Sequence, residues 1–506
     1  MAISYCDWLP SQMSSSTLTL LFVLLGTLCS FIYFFSSPNR NKNGRKLPPG
    51  PAPLPIIGNI HMLGNLPHQS LHYLAKKYGP IMSIMLGKVP TIVVSSPEAA
   101  ELFLKVHDVV FASRPKVQSA KYFTYGGKAL AFTQYGSYCA SEVECFAPIR
   151  KADVGLLVES VRKVAAVGET INLSLAVAKV LEEMMSKVLF GRSMDDKIDF
   201  KPLVDEALHL SGVFNLSDYV PFLAPLDLQG YTRRLKKASS GLHEFFDKMI
   251  DEYQQGINMD DQKPYRSFFQ LMVSMLDTPI NPNDEDQPYI FGRENIKAIM
   301  VDMVAASFDT TSTTIEWTFT ELLKHPRVMV ALQKELEIVV GRNRMVEESD
   351  LPKLAYLDMV IKESFRLHPV APLLIPHEST EDVTVNGYFI PKKSRLLVNT
   401  WSMGQNPKIW SSNAEEFFPE RFKDRKIDLR GHDFELIPFG TGRRGCPGMQ
   451  LALVNMRIIL AQLAHCFDWE LPGGMLPNEL DMTEKFGLSL PRANRLLVKS
   501  TYRLIA

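Results

Sequence analysis

Apolar residues fill Thr17 to Phe35 (TLTLLFVLLGTLCSFIYFF) without one charged side chain, a run of 19 at the amino end. A helix that crosses the bilayer core needs about 20 apolar residues, so the run is long enough to span. Asp7 precedes it, and Arg40, Lys42, Arg45 and Lys46 follow it. That bias predicts a single-pass anchor with everything after residue 40 on the cytoplasmic side. The alternative, a cleaved signal peptide, calls for a basic region ahead of a shorter run and a small-residue cleavage site. Next comes Leu47-Pro48-Pro49-Gly50-Pro51-Ala52-Pro53-Leu54-Pro55. Proline fixes φ and removes donors, so this segment reads as a stiff, non-helical spacer. The expected division is an anchor over 1–38, a basic and proline-rich hinge over 39–59, and one catalytic domain over 60–506.

Beyond the hinge, short strand patterns appear early and late, with helical patterns between them. Ile81 to Leu86 and Thr91 to Val94 read as strands joined through Gly87-Lys88-Val89. Val383-Thr384-Val385 and Tyr388-Phe389-Ile390 flank an Asn386-Gly387 hairpin turn. Residues 293 to 325 contain neither Gly nor Pro and stop at Pro326, which predicts a helix of about 48 Å. Its middle, Ile299 to Phe308, is apolar nearly all round, so it is expected to cross the interior. Further helices are expected over Arg327 to Val340 before Gly341, Leu354 to Leu367 before His368-Pro369, and Met449 to Phe467. There is no internal repeat. The pattern predicts one mainly helical domain with a small β portion.

Composition narrows the function. At 506 residues, length alone would suggest about three domains, but no linker after residue 60 divides the chain. Hydrophobic residues make up 46% and charged residues 22%, a globular balance. Lys plus Arg (55) equals Asp plus Glu (55), which speaks against a nucleic-acid partner. Cys6, Cys29, Cys139, Cys145, Cys446 and Cys466 are too scattered for a disulfide framework, and a reducing compartment is expected. The N-x-S sequons at Asn172 and Asn215 are then expected to be unused.

The strongest chemical signal is Phe439-Gly440-Thr441-Gly442-Arg443-Arg444-Gly445-Cys446-Pro447-Gly448. Its glycines and proline force an irregular loop that opens into a helix, so Cys446 is expected at a helix N-terminus, which favours a thiolate. Glycines that admit a flat ligand and an arginine for an anion describe an axial haem ligand. A buried structural cysteine in a turn is the competing reading.

The loop matches F-x-x-G-x-R-x-C-x-G, and the chain resembles the cytochrome P-450 superfamily. Three more family motifs follow in order: Ala306-Ser307-Phe308-Asp309-Thr310, with Ser307 where glycine is commoner; Glu363-Ser364-Phe365-Arg366; and Pro419-Glu420-Arg421-Phe422. Phe111-Ala112-Ser113-Arg114-Pro115 and Asp218-Tyr219-Val220-Pro221 are similar to membrane-bound plant members. The resemblance implies the cytochrome P-450 fold, with haem b between the cysteine loop and the long central helix. It makes Cys446 the iron ligand, whose thiolate favours O–O cleavage. Arg444 and His377 would hold propionates, Phe439 would pack against the macrocycle, and Gly442 and Gly448 would allow the turn and close contact. Thr310 and Asp309 would pass protons, although a Thr hydroxyl bonded to its own helix carbonyl is an ordinary alternative. Glu363, Arg366 and Arg421 would form a structural network. Ala305, Ala306, Leu373, Leu374 and Phe486, with the Phe111 to Leu130 loop, would meet a lipophilic substrate. Electrons would come from NADPH through a separate cytochrome P-450 reductase at the endoplasmic reticulum membrane, since the chain has no nucleotide-binding glycine loop of its own.

One segment departs from the family. Where relatives carry a helix with W-R-x-x-R-K after Gly136-Ser137-Tyr138, this chain reads Cys139-Ala140-Ser141-Glu142-Val143-Glu144 and reaches Pro148-Ile149-Arg150 soon after. The family residues hold a propionate and present charge to the reductase. The departure makes a silent haem-binding relative an alternative to an oxygen-inserting enzyme; a haem-thiolate isomerase or dehydratase is another, against which Thr310 and Asp309 argue. Each charge-assisted bond is worth roughly 1.5–3 kcal/mol, so losing two weakens haem retention by orders of magnitude. Purified protein is expected to carry little haem, and inserting a W-R-x-x-R-K helix is expected to raise the haem-to-protein ratio. Equal occupancy with and without the insertion refutes this.

Overall fold

The computed structural model describes residues 19–28, 45–126, 128, 131, 143–193, 200–256, 266–278 and 290–505. Of the apolar amino-terminal run, Thr19–Leu28 is a helix with exposed side chains, Phe22 and Leu24 among them. The rest of the expected anchor, and most of the departing segment (residues 132–142), lie outside the described residues.

The proline-rich hinge is non-helical and docked. Ser83 donates its backbone N–H to Pro49 O and its hydroxyl to Pro48 O, both at 2.8 Å. Phe389 N–H reaches Lys46 O at 2.7 Å. Gly50 permits this approach, because a Cβ there would lie 1.8 Å from Ser83 O. The spacer is thus an extra edge on a sheet.

That sheet has the order β1-β2-β7-β4, from Ile81–Leu86, Val89–Val94, Arg395–Val398 and His377–Glu378. The β1–β2 turn is only Gly87-Lys88, since Leu86 pairs with Val89. The second strand therefore starts two residues earlier than its Thr91–Val94 pattern predicts. Pro90 is tolerated there because the parallel ladder to β7 begins at Thr91, beyond the proline's missing donor. β5 (Val383–Val385) and β6 (Tyr388–Ile390) form the expected hairpin, with positive φ at both Asn386 and Gly387. A third sheet, β3-β9-β8, joins Ile171–Asn172, Leu497–Tyr502 and Phe467–Glu470.

The helical body includes α1 (Pro67–Tyr78), α2 (Ala147–Ala166), α3 (Leu173–Phe190), α4 (Phe200–Gly212), α5 (Tyr231–Gln254), α6 (Arg293–Lys324), α7 (Pro326–Val340), α8 (Ala355–Leu367) and α9 (Met449–Cys466). The uninterrupted α6 packs against α3, α8 and α9. Its buried hydroxyls at Thr314, Thr318 and Thr320 each bond the carbonyl four residues back, which satisfies them inside the core. α9 is long and apolar enough to cross a membrane by length and composition, yet most of it is buried, so it is a core helix. Asn172, one of the sequons, caps α3 by accepting from Leu175 N–H, and Asn215, the other, is buried.

Behind the cysteine loop, Glu363 and Arg366 of α8 pair with no solvent exposure. Arg366 donates through Nε and Nη2 to both oxygens of Glu363 at 2.8 Å. Arg421 donates to Glu363 Oε1 at 2.8 Å, and Phe418 N–H reaches the same oxygen. The remaining guanidinium protons go to the carbonyls of Gly404, Ala414, Glu416 and Trp410. One carboxylate thus orders the meander that leads to the loop. Glu363→Ala leaves two buried cations without their anion and is expected to cost about 3–5 kcal/mol, read from denaturant unfolding of the full chain.

Candidate functional site

The loop after Phe434 folds on itself. Cys446 N–H donates to Phe439 O at 2.9 Å, and Gly445 N–H to Gly442 O at 3.1 Å. Gly442 sits at φ +65°, where a Cβ would also stand 3.1 Å from Leu104 O, so glycine is required on two counts. Gly448 has an ordinary φ of −86° and caps α9, with its missing Cβ facing the Cys446 sulfur. The ring of Phe439 meets Phe365 edge-on, 5.2 Å between centroids.

Cys446 is exposed, yet burial dominates its titration. A group deep in a molecule but open on its surface lines an internal cavity. The sulfur accepts hydrogen bonds from the N–H groups of Gly448 and Met449, but burial outweighs them and pushes the thiol above its ordinary pKa. The donors at the helix N-terminus favour the thiolate, as expected, and burial works against them.

The central helix has a matching window. Its residues from Asn295 to Asp302 and from Thr311 to Leu323 are buried, but Ala306 and Thr310 are exposed, with Ala305, Ser307, Phe308 and Asp309 half-buried. Exposure at i and i+4 in the middle of a core helix is a stripe facing a hollow. Thr310 donates its hydroxyl to Ala306 O at 2.7 Å, which leaves its oxygen lone pairs as acceptors. Asp309 takes the Ser489 hydroxyl on Oδ2. Leu373 and Leu374 are half-buried, Leu374 at φ +50°, and each packs against a cluster of the first sheet. Phe486 is half-buried and stacks on the ring of His68, 6.1 Å away.

Three basic groups converge beside the loop. His377 Nδ1 donates to Phe111 O at 2.7 Å, Arg444 Nε to Ala112 O at 2.7 Å, and Arg114 Nη1 to Ile375 O at 2.6 Å. Burial, then the charge of Arg444, lowers Arg114 to about 9. Burial, then Arg114 and Arg444, lowers His377 to about 3, so His377 is neutral at physiological pH. With Nδ1–H committed to Phe111, its Nε2 donates only after His377 takes up a second proton. Among the described residues neither Arg114 nor His377 has a carboxylate partner. Desolvated cations that repel each other are a fit for an anionic ligand. Arg114 entered the sequence reading only as a family marker; its own signal is burial, which no local pattern reports.

The Cytochrome P-450 family profile matches residues 48–497. The chain belongs to the cytochrome P-450 family. It is 52% identical to a cytochrome P-450 of Panax ginseng, over 96% of this chain and 99% of that protein. It is 39% identical to a flavonoid 3'-monooxygenase of Arabidopsis thaliana over 97% of this chain and 98% of that one. A 5-epiaristolochene 1,3-dihydroxylase of Nicotiana tabacum is 37% identical, over 93% of this chain and 96% of that protein. This cytochrome P-450 is therefore of the plant type and is an oxidoreductase of the monooxygenase kind. Membership brings a thiolate-bound haem, electrons from a redox partner, O2 and a small-molecule substrate.

The basic cluster yields a test. Arg114→Ala removes a buried cation worth roughly 1.5–3 kcal/mol to an anion, so haem is expected to transfer to apomyoglobin about tenfold faster or more. An unchanged transfer rate shows that Arg114 does not hold the ligand.

Proposed function

We propose that this cytochrome P-450 is a membrane-anchored monooxygenase that oxidises a small lipophilic specialised metabolite of phenolic, terpenoid or alkaloid type. The observation that carries the reading is an open-sided yet desolvated cysteine thiol in the loop that opens α9, a helix that packs against α6, whose middle is open at Ala306 and Thr310. The flavonoid and sesquiterpene oxidations in the names of two relatives support a fused-ring, mostly apolar substrate.

Cys446 would be the iron ligand, and its N–H donors at Gly448 and Met449 would steady the sulfur once its proton has left. Arg444, Arg114 and a protonated His377 would hold the propionates of haem b. Phe439, Gly442 and Gly448 would shape the face that the macrocycle lies on. When bound, the haem supplies the activation of O2 by two electrons, which we assign to NADPH and its cytochrome P-450 reductase. Ala305 and Ala306 would present an apolar wall that keeps water from the substrate, with Leu373, Leu374 and Phe486 closing the pocket. Thr310, whose proton is committed to Ala306 O, would accept from a water and hold it in the window. Asp309, one residue away, would be the acid from which that water draws protons. Glu363, Arg366 and Arg421 act on folding. Residues 1–38 would anchor the protein in the endoplasmic reticulum, 39–59 would set the angle of the body, and 60–506 would carry the chemistry in the cytoplasm.

The reduced, carbon monoxide-bound spectrum tests this directly. Wild-type protein is expected to give a thiolate-type band that Cys446→Ser abolishes, together with NADPH- and reductase-dependent turnover of a phenolic or terpenoid panel. A spectrum that the substitution leaves unchanged overturns the assignment of the sulfur. Turnover that needs no NADPH favours an isomerase or dehydratase instead.

A further inference from the structure

The segment from Ser489 to Leu496 is sewn along one face of the central helix. Trp317 Nε1 donates to Leu490 O at 2.8 Å. The backbone N–H of Arg492 donates to the Glu316 carboxylate, which also takes the Ser174 hydroxyl. Ser174 Oγ in turn accepts Leu496 N–H at 2.7 Å. The remaining stitch lies two turns nearer the helix window, where the Ser489 hydroxyl donates to Asp309 Oδ2. Asp309 and Glu316 stand seven residues apart and Asp309 and Trp317 eight, so all three share a face. Ser489 and Leu490 are buried, while Phe486 and Leu488 just before them are partly open. Burial, helped by the negative charges of Glu182 and Asp309, holds the Asp205 carboxyl of α4 above its ordinary range against the pull of Lys201 and Arg495. A second acid therefore stands close enough to act on Asp309 by its charge, with Arg495 and Lys201 as the basic groups nearby.

We propose that Ser489 is a positioning residue for Asp309, fixing its carboxylate beside Thr310 and tying the proton supply to the loop that carries Phe486 and Leu488. The inference rests on the assignment of Asp309 as the acid. A serine hydroxyl has one proton and two acceptor sites. With its proton given to Asp309 Oδ2, it fixes that carboxylate oxygen while its own lone pairs remain acceptors. The bonds at Leu490, Arg492 and Leu496 hold the strap against α6 and α3, so Ser489 meets Asp309 from a fixed position next to the Phe486–Leu488 loop.

The test uses full-length protein with Ser489→Thr and Ser489→Val, which share their bulk and differ in the hydroxyl, alongside Asp309→Asn and the Asp309→Asn/Ser489→Val double variant. Two readouts are taken. One is NADPH oxidation per haem with added reductase and no added substrate, in H2O and in D2O. The other is a denaturant-unfolding double-mutant cycle, which needs no haem. Ser489→Val is expected to slow oxidation about tenfold, the order of one lost hydrogen bond to a charged group, and to enlarge the D2O effect. Ser489→Thr is expected to stay within about twofold of wild type, and the double variant to be no slower than Asp309→Asn. In the unfolding cycle the two sites are expected to couple by about fivefold or more. Thr and Val variants that behave alike, or additive unfolding losses, overturn the role of Ser489. Asp309→Asn that oxidises NADPH at the wild-type rate and isotope effect overturns instead the assignment of Asp309.

Discussion

The surrounding protein desolvates the Cys446 sulfur, Arg114 and His377, and each titrates toward its neutral form as a result. These groups lie around one loop, and among the described residues neither Arg114 nor His377 is paired with a carboxylate. A thiolate-bound haem would answer both demands: its iron would take the sulfur in place of the proton, and its two propionates would give Arg114 and Arg444 their anions. Because these groups are desolvated, such pairing would be worth far more than the same pairs on a surface.

The scaffold around the loop supplies rigidity rather than charge. Glu363 orders Arg366, Arg421 and Phe418, which fix the meander behind the cysteine. From the other side, α6 crosses the core and opens in its middle at Ala306 and Thr310, with Ala305 and Ser307 to Asp309 half-buried. The open stretch of α6 thus sets alanine methyls and the Thr310 hydroxyl beside Ser307 and Asp309.

Much of this was legible because it is local. Proline and glycine punctuation marked α6, α8, α9 and the Asn386-Gly387 hairpin within a residue or two of their observed ends. The cysteine loop could be read because its parts lie within ten residues. What escaped the sequence reading is non-local. The parallel pairing of β2 with β7 joins Thr91 to Arg395, and no pattern near either strand announces it. Arg114 meets Pro376 O across 262 residues, and Ser489 meets Asp309 across 180. Arg, Ser and Asp each look like ordinary surface residues until the fold buries them. Around the sulfur, the donors of the helix N-terminus are local and legible, whereas the desolvation that opposes them is a property of the whole fold.

The departing segment shows how fold and cofactor binding can part company. Just after it, α2 packs against α3, α9 and β9, and its Arg150, almost fully buried, makes a two-pronged ion pair with Glu348 at 2.6 and 2.8 Å. Residues on the far side of the departure are thus integral to the helical core. If family members use the W-R-x-x-R-K helix to hold a propionate, its loss here subtracts from the cofactor while the core that α2 helps to build stays closed. On that reading haem retention would fall on Arg114, Arg444 and His377. Of these, His377 would contribute only once it takes up a proton that burial and its two arginine neighbours oppose. The two arginines would then bear more of the cofactor's charge than they would beside such a helix.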